Sequence, residues 1–118
     1  MLRLDQFDNI YLYRNIVDFR KSIDGLMCIV QDEMCLNPFQ NHLFIFTNHR
    51  RNKVKMLYWD KTGHALWYKR LDQSHFRWPL RSENEVINLT PQKLEWLLSG
   101  IDILKLKPHK ELFFENLN

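Results

Sequence analysis

The stretch "HLFIFTNHRRNKVKMLYWDKTGHALWYKRL", His42 to Leu71, decides the fold. It divides into three runs dominated by aromatic and aliphatic side chains: His42–Thr47, Lys53–Asp60 and His64–Leu71. Such side chains fit a pleated, half-buried surface, so each run reads as a strand. The separators, "NHRRN" (48–52) and "KTG" (61–63), are short and carry the Asn and Gly that hairpin turns favour. Connections this short imply antiparallel neighbours, so the three runs form a meander. In the second strand Val54, Met56 and Tyr58 share one face, and Lys55, Leu57 and Trp59 share the other. In the third, Leu66, Tyr68 and Arg70 oppose Ala65, Trp67, Lys69 and Leu71.

Upstream, "NIYLYRN" (Asn9–Asn15) is a further β-rich run bounded by asparagines and reads as a first strand. Asp18 is positioned as the N-cap of a following helix. Phe19, Ile23, Leu26, Met27, Val30 and Met34 then make one apolar helical stripe. Gly25 inside it weakens the helix by about 1 kcal/mol relative to Ala, which points to a close approach there. Pro38 closes the segment, since it disfavours helical geometry at Asn37. The helix is expected to cover one face of the sheet, leaving the other as a mixed aromatic and cationic surface. Downstream, "VINL" (Val86–Leu89) offers a short strand. Thr90–Pro91 starts a second helix with a hydroxyl cap and a proline at the first helical position. Leu94, Leu97 and Leu98 give its buried stripe, and Gly100 is placed to end it. "IDILKLK" reads as a strand or an extended tail. The expectation is an α+β single domain over 1–118: an antiparallel meander of about four to five strands with two helices packed against it.

Length and composition agree with that reading. A chain of 118 residues with 45% hydrophobic and 26% charged residues is an ordinary globular domain. No apolar run approaches the roughly 20 residues that span a bilayer, so no membrane contact is expected. The N-terminus carries two aspartates and lacks the apolar core of a signal peptide, which favours a cytoplasmic location. Cys28 and Cys35 show no metal-binding spacing and read as buried free thiols of a reducing compartment.

Charge is distributed unevenly. Between His42 and Arg81 there are nine lysines or arginines against two aspartates, while the remainder of the chain is net acidic. The same forty residues hold eight of the sixteen aromatics and four of the five histidines. A basic middle between acidic ends implies one positive face and a polyanionic or acidic partner, unless those cations only protect a solvated sheet.

Chemistry has little to work with. Asp18, Asp24, Asp60 and Asp72 are carboxylates that a phosphodiester-cleaving metal site could use, yet Asp18 is explained as a cap and Asp60 as a turn residue. The histidines at 42, 49, 64 and 75 have no recognised ligand spacing, and no phosphate-cradling glycine loop is present. No cofactor or metal is expected. The better candidate is the basic and aromatic set. Arg50, Arg51 and Lys53 sit at a hairpin tip, where long cations reach a phosphate backbone. Lys55, Lys69 and Arg70 extend that charge along two strands. Trp59, Trp67, Tyr68, Phe76 and Trp78 either stack on unpaired bases, anchor a protein interface or fill the core. For Trp59 and Trp67 the core is favoured.

Taken in order, "VDFRKSIDGL" (17–26), "NPFQNHLFIFTNHRRNKVKMLYWD" (37–60) and "LWYKRLDQSHFRWP" (66–79) resemble the small accessory protein of the insertion-sequence 66 family of bacterial transposable elements. "LEWLLSGID" (94–102) matches the same family's C-terminal helix. The resemblance covers about residues 11–102 and leaves a tail of about 103–118. It implies an accessory role in transposition, with catalysis by a separate, larger transposase, and hence no catalytic residue here. It marks Arg20, Lys21, Asp24, Arg50, Arg51, Lys69, Arg70, Phe76 and Trp78 as positions of interest. The chain departs from the pattern at "DQSHF", where Glu-x-Gly-x-Phe is usual, and at "RRNKVK", which lacks the usual Gly-Asp. His75 stands where a basic residue is common, which weakens a phosphate contact near neutral pH.

The functional expectation is a non-catalytic, DNA-binding accessory factor of transposition. Its expected contacts are Arg20, Lys21, Arg50, Arg51, Lys53, Lys55, Lys69, Arg70, His75, Phe76, Arg77 and Trp78. The expected partners are DNA together with the transposase and other proteins of the same element. The alternative is an adaptor that docks the transposase through Trp78, Phe76 and Arg70; a third reading is a metal-dependent nuclease.

Overall fold

The computed structural model of the protein describes residues 2–105. Its centre is a five-stranded sheet: β1 (Asn9–Tyr13), β2 (His42–Thr47), β3 (Lys53–Asp60), β4 (Gly63–Arg70) and β5 (Val86–Leu89). The spatial order is β4-β3-β2-β1-β5. The meander expected from the central stretch is present, with β2–β3 and β3–β4 antiparallel. The sheet is nevertheless mixed, because β1 pairs with β2 in parallel, Ile10 facing Leu43 and Leu12 facing Ile45. The cause is the helical segment between them: a strand that leaves through a helix and returns to the same side must run the same way. β5 then adds antiparallel to the free edge of β1.

β2 reads as a nearly continuous apolar run because both of its faces are buried. Leu43 and Ile45 join Ile10, Leu12, Val54 and Met56 on one face, against Leu94 and Leu97 of α2 (Pro91–Leu98). Phe44 and Phe46 join Tyr13 and Leu57 on the other, against Leu26, Val30 and Met34. The face away from the first helix, that of Leu43 and Ile45, is therefore not an open aromatic and cationic surface. It is roofed by α2 and by the segment carrying Phe76 and Trp78. Trp67 packs half-buried against this cluster, and Trp59 lies edge-on to Phe39 and His64.

The first helix starts later than its apolar stripe implied. α1 spans Ile23–Cys28 and continues as a π-helical turn over Ile29–Glu33, where Met34 N–H reaches back to the Ile29 carbonyl. Asp18 caps no helix. Its carboxylate accepts from the Arg20 backbone N–H and side chain in a separate tight turn. The stripe still packs, since Leu26, Val30 and Met34 are buried. A Cβ on Gly25 would stand 2.9 Å from Lys21 Cβ, so the close approach there is to the turn that precedes the helix. The segment ends before Pro38, at Cys35, whose φ of 58° is left-handed. Cys28 and Cys35 are free thiols but exposed, not buried.

α2 begins and ends as its residues require. Thr90 Oγ1 accepts from Lys93 N–H ahead of Pro91. At the far end Gly100, with φ 92°, lets Gly100 N–H bond Leu97 O and Ile101 N–H bond Trp96 O. Ile103 is buried beyond it, and the rest of the expected tail, from 106 onward, lies outside the described residues. Among the described residues no helix is long and apolar enough to cross a membrane.

Candidate nucleic-acid interface

The carboxyl ends of β1, β2 and β4 and the start of β3 lie at the same end of the sheet. Here the chain leaving β1 meets the β2–β3 hairpin tip, Asn48–Asn52, and Val17 N–H bonds the Thr47 carbonyl at 2.9 Å. The tip is tied internally. Asn48 Oδ1 accepts from Lys53 N–H, and Asn48 Nδ2 donates to Asn52 Oδ1 at 2.8 Å. Arg51 takes the left-handed conformation, φ 57°, that a glycine would adopt more readily. Its N–H bonds the Asn48 carbonyl, and its own carbonyl accepts from Phe76 N–H at 2.7 Å.

Those bonds reveal what Phe76 and Trp78 do. Residues 75–78 alternate out and in: His75 and Arg77 are exposed, whereas Phe76 and Trp78 are 0% and 7% accessible. Trp78 Nε1–H donates to the Tyr13 carbonyl at 3.1 Å. Neither ring is available to stack on a base or to anchor a partner, which corrects both expectations for them. They hold the 72–80 segment beneath the hairpin tip. Large aromatics in a loop gave no way to tell core from contact.

The cations divide into three groups. Arg50, Arg51 and Lys53 have no carboxylate within 4.0 Å among the described residues, whereas Arg14, Arg20, Arg70 and Arg81 pair with Glu85, Asp18, Asp72 and Asp102. Lys55 is the second group. Its ammonium donates to the carbonyls of Phe19 at 2.9 Å and Lys21 at 2.7 Å, and lies over the Phe19 ring. Burial, with the Lys53 charge adding to it, lowers its pKa. Lys55 is thus committed within the protein and is not a contact. The third group is separated by register. Lys53 faces Arg70 and Lys55 faces Tyr68, on the α1 side of the sheet. Lys69 faces Val54, on the α2 side, so Lys69 and Arg70 cannot extend one cationic surface. Lys21 is exposed near α1, its stem against Gly25.

The turn Asp18–Arg20 and the hairpin tip bound a cleft of about 640 Å³, lined by Val17, Phe19, Arg20, His49, Arg50 and Lys53. Asp18 also lines it, but Arg20 engages that carboxylate at 2.6 Å and holds its pKa down at about 2. The pairing raises the pKa of Arg20 in turn. On the other side of the tip a second cleft, of about 530 Å³, is lined by Arg14, Asn15, Ile16, His49, Arg51 and Leu80. Ile16 and Leu80 had drawn no attention in the sequence, where a single aliphatic residue in a loop carries no signal. Among the described residues no group of three or more His, Cys, Asp or Glu side chains is arranged to hold a metal ion.

Comparison with known proteins places the sequence in a family. An uncharacterized protein of Sinorhizobium fredii, y4hO, is 34% identical over 102 residues, covering 86% of this chain and 88% of the relative. A second from the same organism, y4jC, is 28% identical over 91 residues, 77% of each chain. No solved structure matches. The family model described as IS66 Orf2 like protein matches residues 8–108, a span that takes in the whole sheet, both helices and the hairpin tip. The chain belongs to the IS66 Orf2-like family, and membership implies a role in insertion-sequence transposition.

Proposed function

We propose that the protein is a non-catalytic accessory factor that binds DNA during transposition, through Arg50, Arg51 and Lys53. One observation carries this reading. Three cations within four residues cluster at a well-tied hairpin tip with no carboxylate within 4.0 Å among the described residues, while Arg14, Arg20, Arg70 and Arg81 are each paired and Arg77 stands alone. Like charges held this close repel unless a polyanion neutralises them, and phosphates do so with release of counterions. Arg20, held by Asp18, forms the opposite wall of the cleft. The factor acts in the bacterial cytoplasm, beside the transposase that carries out the chemistry.

Salt dependence tests the proposal. Affinity for element-end DNA is expected to fall steeply with salt, and Arg50→Ala with Arg51→Ala to reduce the slope by roughly two. Absence of DNA retention at low salt, with transposase copurifying, supports the adaptor reading instead. That reading now has a different surface. With Phe76 and Trp78 buried, an adaptor would use β4, an eight-residue edge strand carrying Tyr68, which is 50% exposed.

A further inference from the structure

The two clefts beside the hairpin tip differ from a surface built only for duplex phosphates. They are concave, they share His49, and each is of the size that takes a small ligand group. The second combines Arg14 and Arg51 with Ile16 and Leu80, two of the few large hydrophobics left exposed, at 43% and 40%. A duplex keeps its apolar base faces stacked inside and presents mainly phosphate and sugar, so it has no use for those aliphatic side chains. An unpaired strand presents anionic phosphates and open base faces together.

Resting on the DNA-binding reading above, we propose that the tip and its two clefts take a single unpaired DNA strand laid across Asn48–Asn52. Phosphates meet Arg50, Arg51 and Lys53, while bases rest against Ile16 and Leu80 on one side and Phe19 on the other. On the other side, Arg20 Nη1 lies outside the hydrogen bonds that Nε and Nη2 make to Asp18, and so is placed for the ligand. Guanidinium planes also stack on bases, which suits arginines better than lysines in these positions.

Fluorescence anisotropy with the full chain separates the cases, using a labelled single strand of about 16 nucleotides and the matching duplex at one salt concentration. The single strand is expected to bind at least about tenfold more tightly. Ile16→Ser with Leu80→Ser is expected to abolish that preference while leaving duplex affinity unchanged. Circular dichroism melting checks the fold, and Leu80→Ser alone serves if the double variant melts early. Equal or tighter binding of the duplex, or a preference that survives the serine variants, overturns the unpaired-strand proposal and leaves DNA binding standing. Absence of binding to either probe at low salt overturns the DNA-binding reading itself.

Discussion

The ammonium of Lys55 donates to the backbone carbonyl of Phe19 at 2.9 Å while lying 4.8 Å from the centroid of the same residue's ring. A second bond to the Lys21 carbonyl makes a β3 side chain the clamp on the turn that walls the first cleft. Lys55→Met keeps the apolar stem and removes the donors. It is expected to cost about 1–2 kcal/mol in urea unfolding, because two carbonyls lose a charged partner. Amide exchange of residues 18–25 should quicken at the same time. Lys53→Met is the control, since no such bonds depend on it. It should stay within about 0.5 kcal/mol of the parent protein.

The Asp18–Arg20 pair supplies a pH signature. Arg20 holds the Asp18 carboxyl at about 2, below its ordinary value of 3.8. A lowered folded-state pKa means the carboxylate favours folding above the unfolded value, and that contribution is lost as pH falls through the folded one. The window is therefore pH 4 down to 2. Melting temperatures of the parent and Asp18→Asn are expected to differ above pH 4 and converge near pH 2. The difference should be small and shrink with salt, because the pair is exposed.

Phe76 and Trp78 are positioning residues, and their substitution should register in stability before function. Phe76→Ala empties a fully buried site and is expected to cost about 3–5 kcal/mol. Trp78→Phe removes the bond to the Tyr13 carbonyl and is expected to cost about 1–3 kcal/mol. The folded fraction of Trp78→Phe should keep the parent's salt slope in DNA binding. A changed slope with unchanged stability would restore Trp78 as a direct contact.

What could be read from the chain follows the range of the forces involved. Hairpins and helix ends are local, so β2, β3, β5 and the Thr90–Pro91 start are legible residue by residue. Pairing of β1 is not local. The strand–helix–strand order of "NIYLYRN", the apolar stripe and "HLFIFT" implied a parallel return, but the short loops drew the reading toward an all-antiparallel sheet. The tip cations were legible from charge density alone. Lys55 was not, because its partners are main-chain carbonyls 34 and 36 residues away, and no side-chain pattern marks a carbonyl. The same holds for Trp78 and the Tyr13 carbonyl.

Two lysine or arginine positions in turns, Arg51 and Lys61, share a left-handed φ of 57° that costs any side-chain-bearing residue. Their difference is what they stand beside. Lys61 is exposed in the β3–β4 turn, whereas Arg51 is half-buried, bonded to Asn48 and Phe76, and beside the proposed strand path. Lys61→Gly should simply relieve the backbone, raising stability by about 0.5–1 kcal/mol with no change in DNA binding. Arg51→Gly gains the same relief but loses the packing of the Arg stem, so its stability is expected within about 0.5 kcal/mol of the parent. Its salt slope should fall by about one, the share of a single phosphate contact. A tight turn that keeps an arginine where glycine is easier thus trades backbone comfort for a cation, and equal slopes for the two glycine variants would refute that trade.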